Sequence, residues 1–201
     1  MDYRRYSEYT SIPDSEFIRG KVPMTKEEVR TVTISKLHLG SNKVFWDIGS
    51  GTGSVSVQAA IMYPGLRICA IEHDPEGIEL IKKNMDKFAT DGIEVIEGDA
   101  PDCFAHISGR APDAAFIGGS GGKLEQIIEK LYELNDHMRI AVNAVTTETV
   151  IAINNIMKQY PIKDRDVIQM YVSREREIGN LHLMEAQNPV YIAVFDLNGD
   201  R

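Results

Sequence analysis

Short apolar runs alternate with longer amphipathic stretches along most of this chain. Val44 to Ile48, Arg67 to Glu72, Ile93 to Glu97, Asp113 to Ile117 and Arg139 to Val145 are too short for helices and read as strands. Between them the spacing changes to a helical period. Ile78, Ile81, Met85 and Phe88 line one face between Asp74 and Thr90, and Leu124, Ile127, Ile128 and Leu131 repeat at i, i+3, i+4, i+7. Val55 to Tyr63 reads as a helix of small residues able to pack close to a sheet, Pro101 to Ile107 as a short helix, and Thr147 to Tyr160 as a further one. Strand–helix alternation of this kind predicts a doubly wound α/β fold, a parallel sheet with helices on both faces. The tail departs from it. Asp166 to Val172 and Pro189 to Leu197 are β-rich with no helix between them, which predicts an antiparallel closing pair. The polar segment joining them, Ser173 to Asn188, is expected to be mobile or to lie at an interface.

The organisation is that of one domain, residues 41–201, preceded by an N-terminal segment and helix over residues 1–40 that pack on it. Thr25-Lys-Glu-Glu28 has the form of a capping box, with Thr25 as the cap and Glu28 returning the bond, so a helix is expected from there to about Leu37, ending near Gly40.

Chemistry enters where the first strand ends. Asp47-Ile-Gly-Ser-Gly-Thr-Gly53 carries an apolar strand into a glycine-rich turn, and Ser54 opens a helix whose free N–H groups face back toward any ligand at the turn. The dinucleotide fingerprint spaces its glycines G-x-G-x-x-G. Here the spacing is G-x-G-x-G over Gly49, Gly51 and Gly53, and the acid Asp47 precedes it. A second acid, Glu72, ends the next strand about 20 residues beyond the loop, where a ribose diol would find its acceptor. Asp74 with Pro75 already supplies a helix cap and first turn, leaving Glu72 available for a ligand. The third strand runs into Gly98-Asp99-Ala100. Gly49, Ser50, Gly51, Thr52, Gly53, Asp47 and Glu72 together resemble the first two motifs of class I S-adenosylmethionine-dependent methyltransferases. That resemblance implies a Rossmann-like doubly wound sheet of seven strands with the last antiparallel.

Composition narrows the setting. The 201 residues are 43% hydrophobic and 26% charged, an ordinary globular balance, and the net charge of −8 disfavours a nucleic-acid partner. No apolar run reaches the length of a membrane span, and the first residues lack the apolar core of a secretion signal, so no membrane partner and a cytoplasmic location are expected. Cys69 and Cys103 have no metal or redox spacing and read as reduced packing residues. No metal site is expected, and the five scattered histidines nominate no general acid or base.

A more specific resemblance covers Ile12 to Phe195. Ile12-Pro-Asp-Ser-Glu-Phe17, Val22-Pro-Met-Thr-Lys26, Glu97-Gly-Asp-Ala-Pro101, Ile117-Gly-Gly-Ser-Gly-Gly122 and Asn188-Pro-Val190 resemble the cobalt-precorrin carbon-15 methyltransferases of cobalamin biosynthesis, which also decarboxylate an acetate side chain. The resemblance implies S-adenosyl-L-methionine as cofactor. Its amino-acid end would lie on Gly49 to Gly53, its ribose on Glu72, and its adenine on Asp99 and Ala100, with Thr25 reaching it from the N-terminal side. It also implies a cobalt-precorrin tetrapyrrole as substrate, a homotetramer, and a separate carbon-5 methyltransferase as a possible partner. Gly119, Ser120, Gly121, Lys123 and Asn143 are the substrate-side candidates, at the ends of the fourth and fifth strands. Because the substrate carries many carboxylates and the chain is acidic, a basic rim is expected from Arg19, Lys21, Lys26, Arg30, Lys123, Arg174 and Arg176. Two other readings stay open: a small methyltransferase acting on transfer RNA or isoaspartyl peptides, and a non-catalytic nucleoside-binding subunit.

Overall fold

A computed structural model describes residues 11–199 of the chain. Residues 1–10, on which the expectation about a secretion signal rests, lie outside the described residues. After a 3-10 turn at Asp14–Glu16, the order is α1 (Glu27–Lys36), β1 (Val44–Ile48), α2 (Ser54–Met62), β2 (Arg67–Glu72), α3 (Pro75–Phe88) and β3 (Ile93–Glu97). A second 3-10 turn, Asp102–His106, leads into β4 (Ala114–Ile117), α4 (Leu124–Leu134), β5 (Arg139–Ala144) and α5 (Thr147–Gln159). The chain closes with β6 (Ile162–Met170), β7 (Ser173–Ile178), β8 (Leu181–Ala186) and β9 (Val190–Leu197).

Seven strands form one sheet in the order β3-β2-β1-β4-β5-β9-β6. The pairs β1–β2, β2–β3, β1–β4 and β4–β5 are parallel, and β9 enters antiparallel to both β5 and β6. The doubly wound sheet with an antiparallel last strand is thus as expected. Order reverses between β1 and its neighbours β2 and β4, which opens a crevice at the carboxyl ends of these strands. The strands are apolar because both faces are covered. Val44, Trp46 and Ile48 of β1 join one buried cluster with α4, α5 and the second 3-10 turn, while Phe45 joins the other with α1, α2 and α3. The N-terminal segment belongs to the second cluster through Ile12 and Phe17.

Three local expectations differ from the structure. Thr25 does not cap α1: Lys26 holds the cap position without a side-chain cap bond, because Arg30 takes the Thr25 carbonyl (2.6 Å) and Glu28 turns instead to Arg174 (2.6 and 2.8 Å). The buried face of α3 is Gly77, Leu80, Ile81, Asn84 and Phe88, with Ile78 and Met85 at its margins. The polar segment after β6 is an ordered hairpin, β7 paired antiparallel with β8 from Ser173↔Ala186 to Ile178↔Leu181. Cys69 and Cys103 are buried free thiols, as read from their spacing.

Candidate active site

The crevice at the strand ends is a cleft of about 760 Å³, within the usual range for a small-molecule site. Its floor is the glycine turn after β1. Gly49 has φ +70°, and a Cβ there would stand 2.6 Å from the carbonyl oxygen of Gly119; Gly51 has φ +58°, and a Cβ would stand 2.7 Å from the carbonyl of Pro23. The two glycine turns, after β1 and after β4, therefore lie against each other. The N-terminal segment crosses over the first of them. A side chain at Gly49 would force the two turns apart, and one at Gly51 would push the N-terminal segment off the turn.

Glu72, at the end of β2, is 6% exposed and accepts backbone N–H bonds from Gly51 (2.8 Å), His73 (2.9 Å) and Asp74 (2.9 Å). It thus holds the glycine turn to β2 while facing the cleft. Asp74 caps α3 by accepting from the Glu76 and Gly77 amides, as its place before Pro75 implied. Asp47 lies deeper. It is fully buried, its Oδ2 accepts from the Ser56 amide (3.1 Å) and hydroxyl (2.5 Å), and its Oδ1 has no hydrogen-bond partner. Burial pushes this carboxyl up to about 6, against the opposing pull of hydrogen bonds from Ser56 and Ser50.

Most of the residues nominated from sequence converge here. Thr25, Gly49, Ser50, Gly51, Glu72, Asp99, Ala100, Gly119, Ser120, Gly121 and Asn143 all line the cleft. Asp47, Thr52 and Gly53 do not. Asp47 faces α2 because residues along β1 alternate between the sheet's two faces; Thr52 is fully buried, and Gly53 (φ +74°) is the cap residue of α2, packed on Ile81. These three shape the turn from beneath. Lys123 also stands outside the wall, its ammonium bonded to Asp99 (2.6 Å) and Asp102 (3.5 Å). That pairing holds the Asp99 carboxyl below its ordinary value. Asn143 accepts a hydrogen bond from the buried Thr33 hydroxyl (3.2 Å).

The basic rim does not form as expected. Arg30 is fully buried, donating to Gln58 (2.7 Å), Asp14 (3.1 Å) and the carbonyls of Thr25 and Ile12. Arg174 pairs with Glu28 and Arg176 with Glu185 (3.0 Å). Arg19 and Lys21 are not in the wall, which among the described residues contains one lysine, Lys26, and no arginine.

Sequence reading missed how the N-terminal segment is fastened. The fully buried Asn84 accepts from Ile18 N–H (2.8 Å) and donates to the carbonyls of Ile18 (3.0 Å) and Thr52 (2.9 Å), tying segment and glycine turn to one amide. It sits on the inner face of α3, and a polar residue at a core position was its only signal. Met24, Val29, Met170, Val172 and Val190 add an apolar wall from the segment, α1 and the hairpin base.

The cleft chemistry suits an adenosine ligand bearing positive charge. Glu72, Asp74 and Asp99 stand in its wall against the single Lys26, a balance adverse to a pyrophosphate and favourable to a sulfonium and an ammonium. Comparison with known proteins decides the family. A family model described as a precorrin methyltransferase domain matches residues 16–196. The chain is a precorrin methyltransferase family member. It is 38% identical over 184 residues to the "Probable cobalt-precorrin-6B C(15)-methyltransferase (decarboxylating)" of Sulfolobus acidocaldarius, covering 90% of this chain and 94% of that one. The solved structure of precorrin-6Y C5,15-methyltransferase from Geobacter metallireducens superposes with a TM-score of 0.83 at 36% identity, over 92% of this chain and 97% of that one. The C-terminal domain of precorrin-6Y C5,15-methyltransferase from Rhodobacter capsulatus does so with a TM-score of 0.81 at 27% identity, over 92% and 96%. Within this family member no helix of the described residues is long and apolar enough to cross a membrane, and no His, Cys, Asp and Glu cluster there is arranged to hold a metal ion.

Proposed function

We propose that this family member is an S-adenosylmethionine-dependent C-methyltransferase of cobalamin biosynthesis that methylates carbon-15 of a cobalt-precorrin-6B-type tetrapyrrole and removes the carboxyl group of the neighbouring acetate. The observation that carries the reading is the cleft itself, in which a glycine turn flanked by acids opens onto an apolar wall broad enough for a macrocycle edge. S-adenosylmethionine, when bound, supplies an electrophilic methyl on a cationic sulfur. Gly49, Ser50 and Gly51 offer backbone to its amino-acid end, Glu72 its carboxylate to the ribose, and Asp99 with Ala100 the edge for adenine. Asp47, Thr52 and Gly53 hold that turn in shape. Thr25 faces the cofactor from the N-terminal side, and its hydroxyl makes no cap bond to α1.

On the substrate side, Gly119, Ser120, Gly121 and Asn143 form the wall next to the glycine turn. The nucleophile is an electron-rich ring carbon, so the protein's main work is to hold two reactants in line and exclude water. As the carbon–carbon bond to the carboxyl breaks, carbon dioxide leaves and its electron pair passes into the methylated macrocycle; the side chain then takes up one proton and the methylated ring carbon gives one up, so no net proton is consumed. The apolar wall disfavours the charged carboxylate relative to water and so assists that step.

The same reading includes a homo-oligomer, a tetramer by family resemblance, and a cytoplasmic setting. The hairpin β7–β8 supports oligomerisation. A two-stranded ribbon is marginal by itself in water, yet this one exposes Ile178, Leu181, Leu183 and Met184. A carbon-5 methyltransferase is a candidate partner, since the Rhodobacter domain belongs to a protein named for both positions.

Calorimetric titration tests the cofactor reading. S-adenosylhomocysteine should bind and NAD should not, and Glu72→Ala should weaken the former at least tenfold, about 1.4 kcal/mol, since hydrogen bonds to charged acceptors contribute about 1.5–3 kcal/mol. Tighter binding of NAD, or an unchanged dissociation constant in the variant, would contradict it.

A further inference from the structure

We infer that Lys26 is the residue that anchors the tetrapyrrole, binding one of its peripheral carboxylates, and that the carboxyl to be lost lies away from it against the apolar wall. The inference rests on the substrate class proposed above and extends it to a residue and a division of labour.

A polycarboxylate must enter a cleft whose wall holds Glu72, Asp74 and Asp99 in a chain of net charge −8. Some local positive charge must offset that field or the substrate is repelled. The structure commits the nearby cations elsewhere: Arg30 to four buried acceptors, Lys123 to Asp99 and Asp102, Arg174 to Glu28 and Arg176 to Glu185. Lys26 remains in the wall at the start of α1, half-buried, with no side-chain cap bond to its helix and no carboxylate paired with it among the described residues. An ammonium on a flexible stem suits a peripheral carboxylate, whose position shifts as the macrocycle seats.

Chemistry then separates this carboxylate from the one that leaves. An ammonium beside a carboxylate stabilises the charged ground state and opposes loss of carbon dioxide. The leaving carboxyl therefore belongs against apolar side chains, which Ile127, Val145, Met170 and Val172 supply in the same cleft. Lys26 would thus set where the macrocycle sits and which acetate meets the apolar wall.

The test is steady-state kinetics with S-adenosylmethionine and cobalt-precorrin-6B for the full chain, Lys26→Gln and Lys26→Arg, at low and high salt. Lys26→Gln should raise KM for the tetrapyrrole about fivefold at low salt, the effect of one partly exposed ion pair. Screening should shrink the difference at high salt, and Lys26→Arg should restore most of it. KM for S-adenosylmethionine should stay at the wild-type value, and methyl transfer and carbon dioxide release should remain one to one. An unchanged tetrapyrrole KM in a wild-type-active background overturns the anchor. So does an effect that falls on S-adenosylmethionine instead, since Lys26 would then serve the cofactor carboxylate. Methyl transfer without decarboxylation in Lys26→Gln would place the lysine on the leaving carboxyl and overturn the division. If the wild-type chain itself turns over no cobalt-precorrin, the functional reading falls first and takes this inference with it.

Discussion

Asp47 shows how much of one side chain's role lies in its surroundings. Its place before the glycine turn suggested a ligand contact, whereas the structure buries it beneath the turn with Ser56 as partner and one oxygen unpaired. Burial raises its carboxyl from 3.8 to about 6. The folded protein thus holds this proton to higher pH than the unfolded chain does. The resulting stabilisation is complete below the unfolded value of 3.8, falls as pH rises toward about 6, and is gone above it. Asp47→Asn keeps an oxygen for Ser56 and removes the titration, so its melting temperature should fall less than the wild type's between those two pH values. Parallel pH dependences in thermal melts of the two proteins would show that the group titrates normally. The identity of such residues was legible because Asp47, Glu72 and the glycines sit close together in sequence or at strand ends. Their partners were not. Ile18 and Asn84 lie 66 positions apart, and Arg30 and Gln58 lie 28 apart, so the contacts exist only once α2 and α3 pack beneath the N-terminal segment.

At the scale of elements, periodicity located the strands and helices that have a buried face, since burial is what writes the pattern. β7 and β8 have no buried face, every residue being exposed, and their sequence accordingly carried no alternation to read. The start of α1 differs from the capping-box pattern at Thr25 because Arg30, one turn into the same helix, takes the Thr25 carbonyl and Arg174, 146 positions away, takes Glu28. The fastening of the N-terminal segment belongs to this scale too. Asn84→Leu should leave the Ile18 amide and carbonyl and the Thr52 carbonyl without their partner, and an unpaired buried polar group costs about 1–3 kcal/mol. Urea unfolding should register at least 2 kcal/mol lost, and amide exchange at Ile18 should accelerate. An unchanged midpoint would mean that the segment is held by its apolar contacts alone.

For the whole molecule, the doubly wound sheet places the cleft at the point where strand order reverses, and the hairpin rises from the rim of that cleft through Met170, Val172, Gln187 and Asn188. If the exposed Leu181 and Met184 face another copy, sedimentation should show a species several times the 22.5 kDa chain, and Leu181→Glu with Met184→Glu should lower it toward the monomer. A 22.5 kDa species for the unaltered chain would contradict the oligomer. Of the seven residues expected in a basic rim, Lys26 lines the cleft and the other six do not. A count of Lys and Arg near the cleft in sequence does not reveal which of them are already paired in space.

The central claim joins methyl transfer to loss of a carboxyl group on one substrate, and mass spectrometry of the product tests both at once. After anaerobic incubation of the chain with S-adenosylmethionine and cobalt-precorrin-6B, the tetrapyrrole should have gained one methyl and lost one carboxyl as carbon dioxide, with S-adenosylhomocysteine formed in equal amount. A tetrapyrrole recovered without the added methyl, or methylated with all its carboxyl groups intact, would contradict the account.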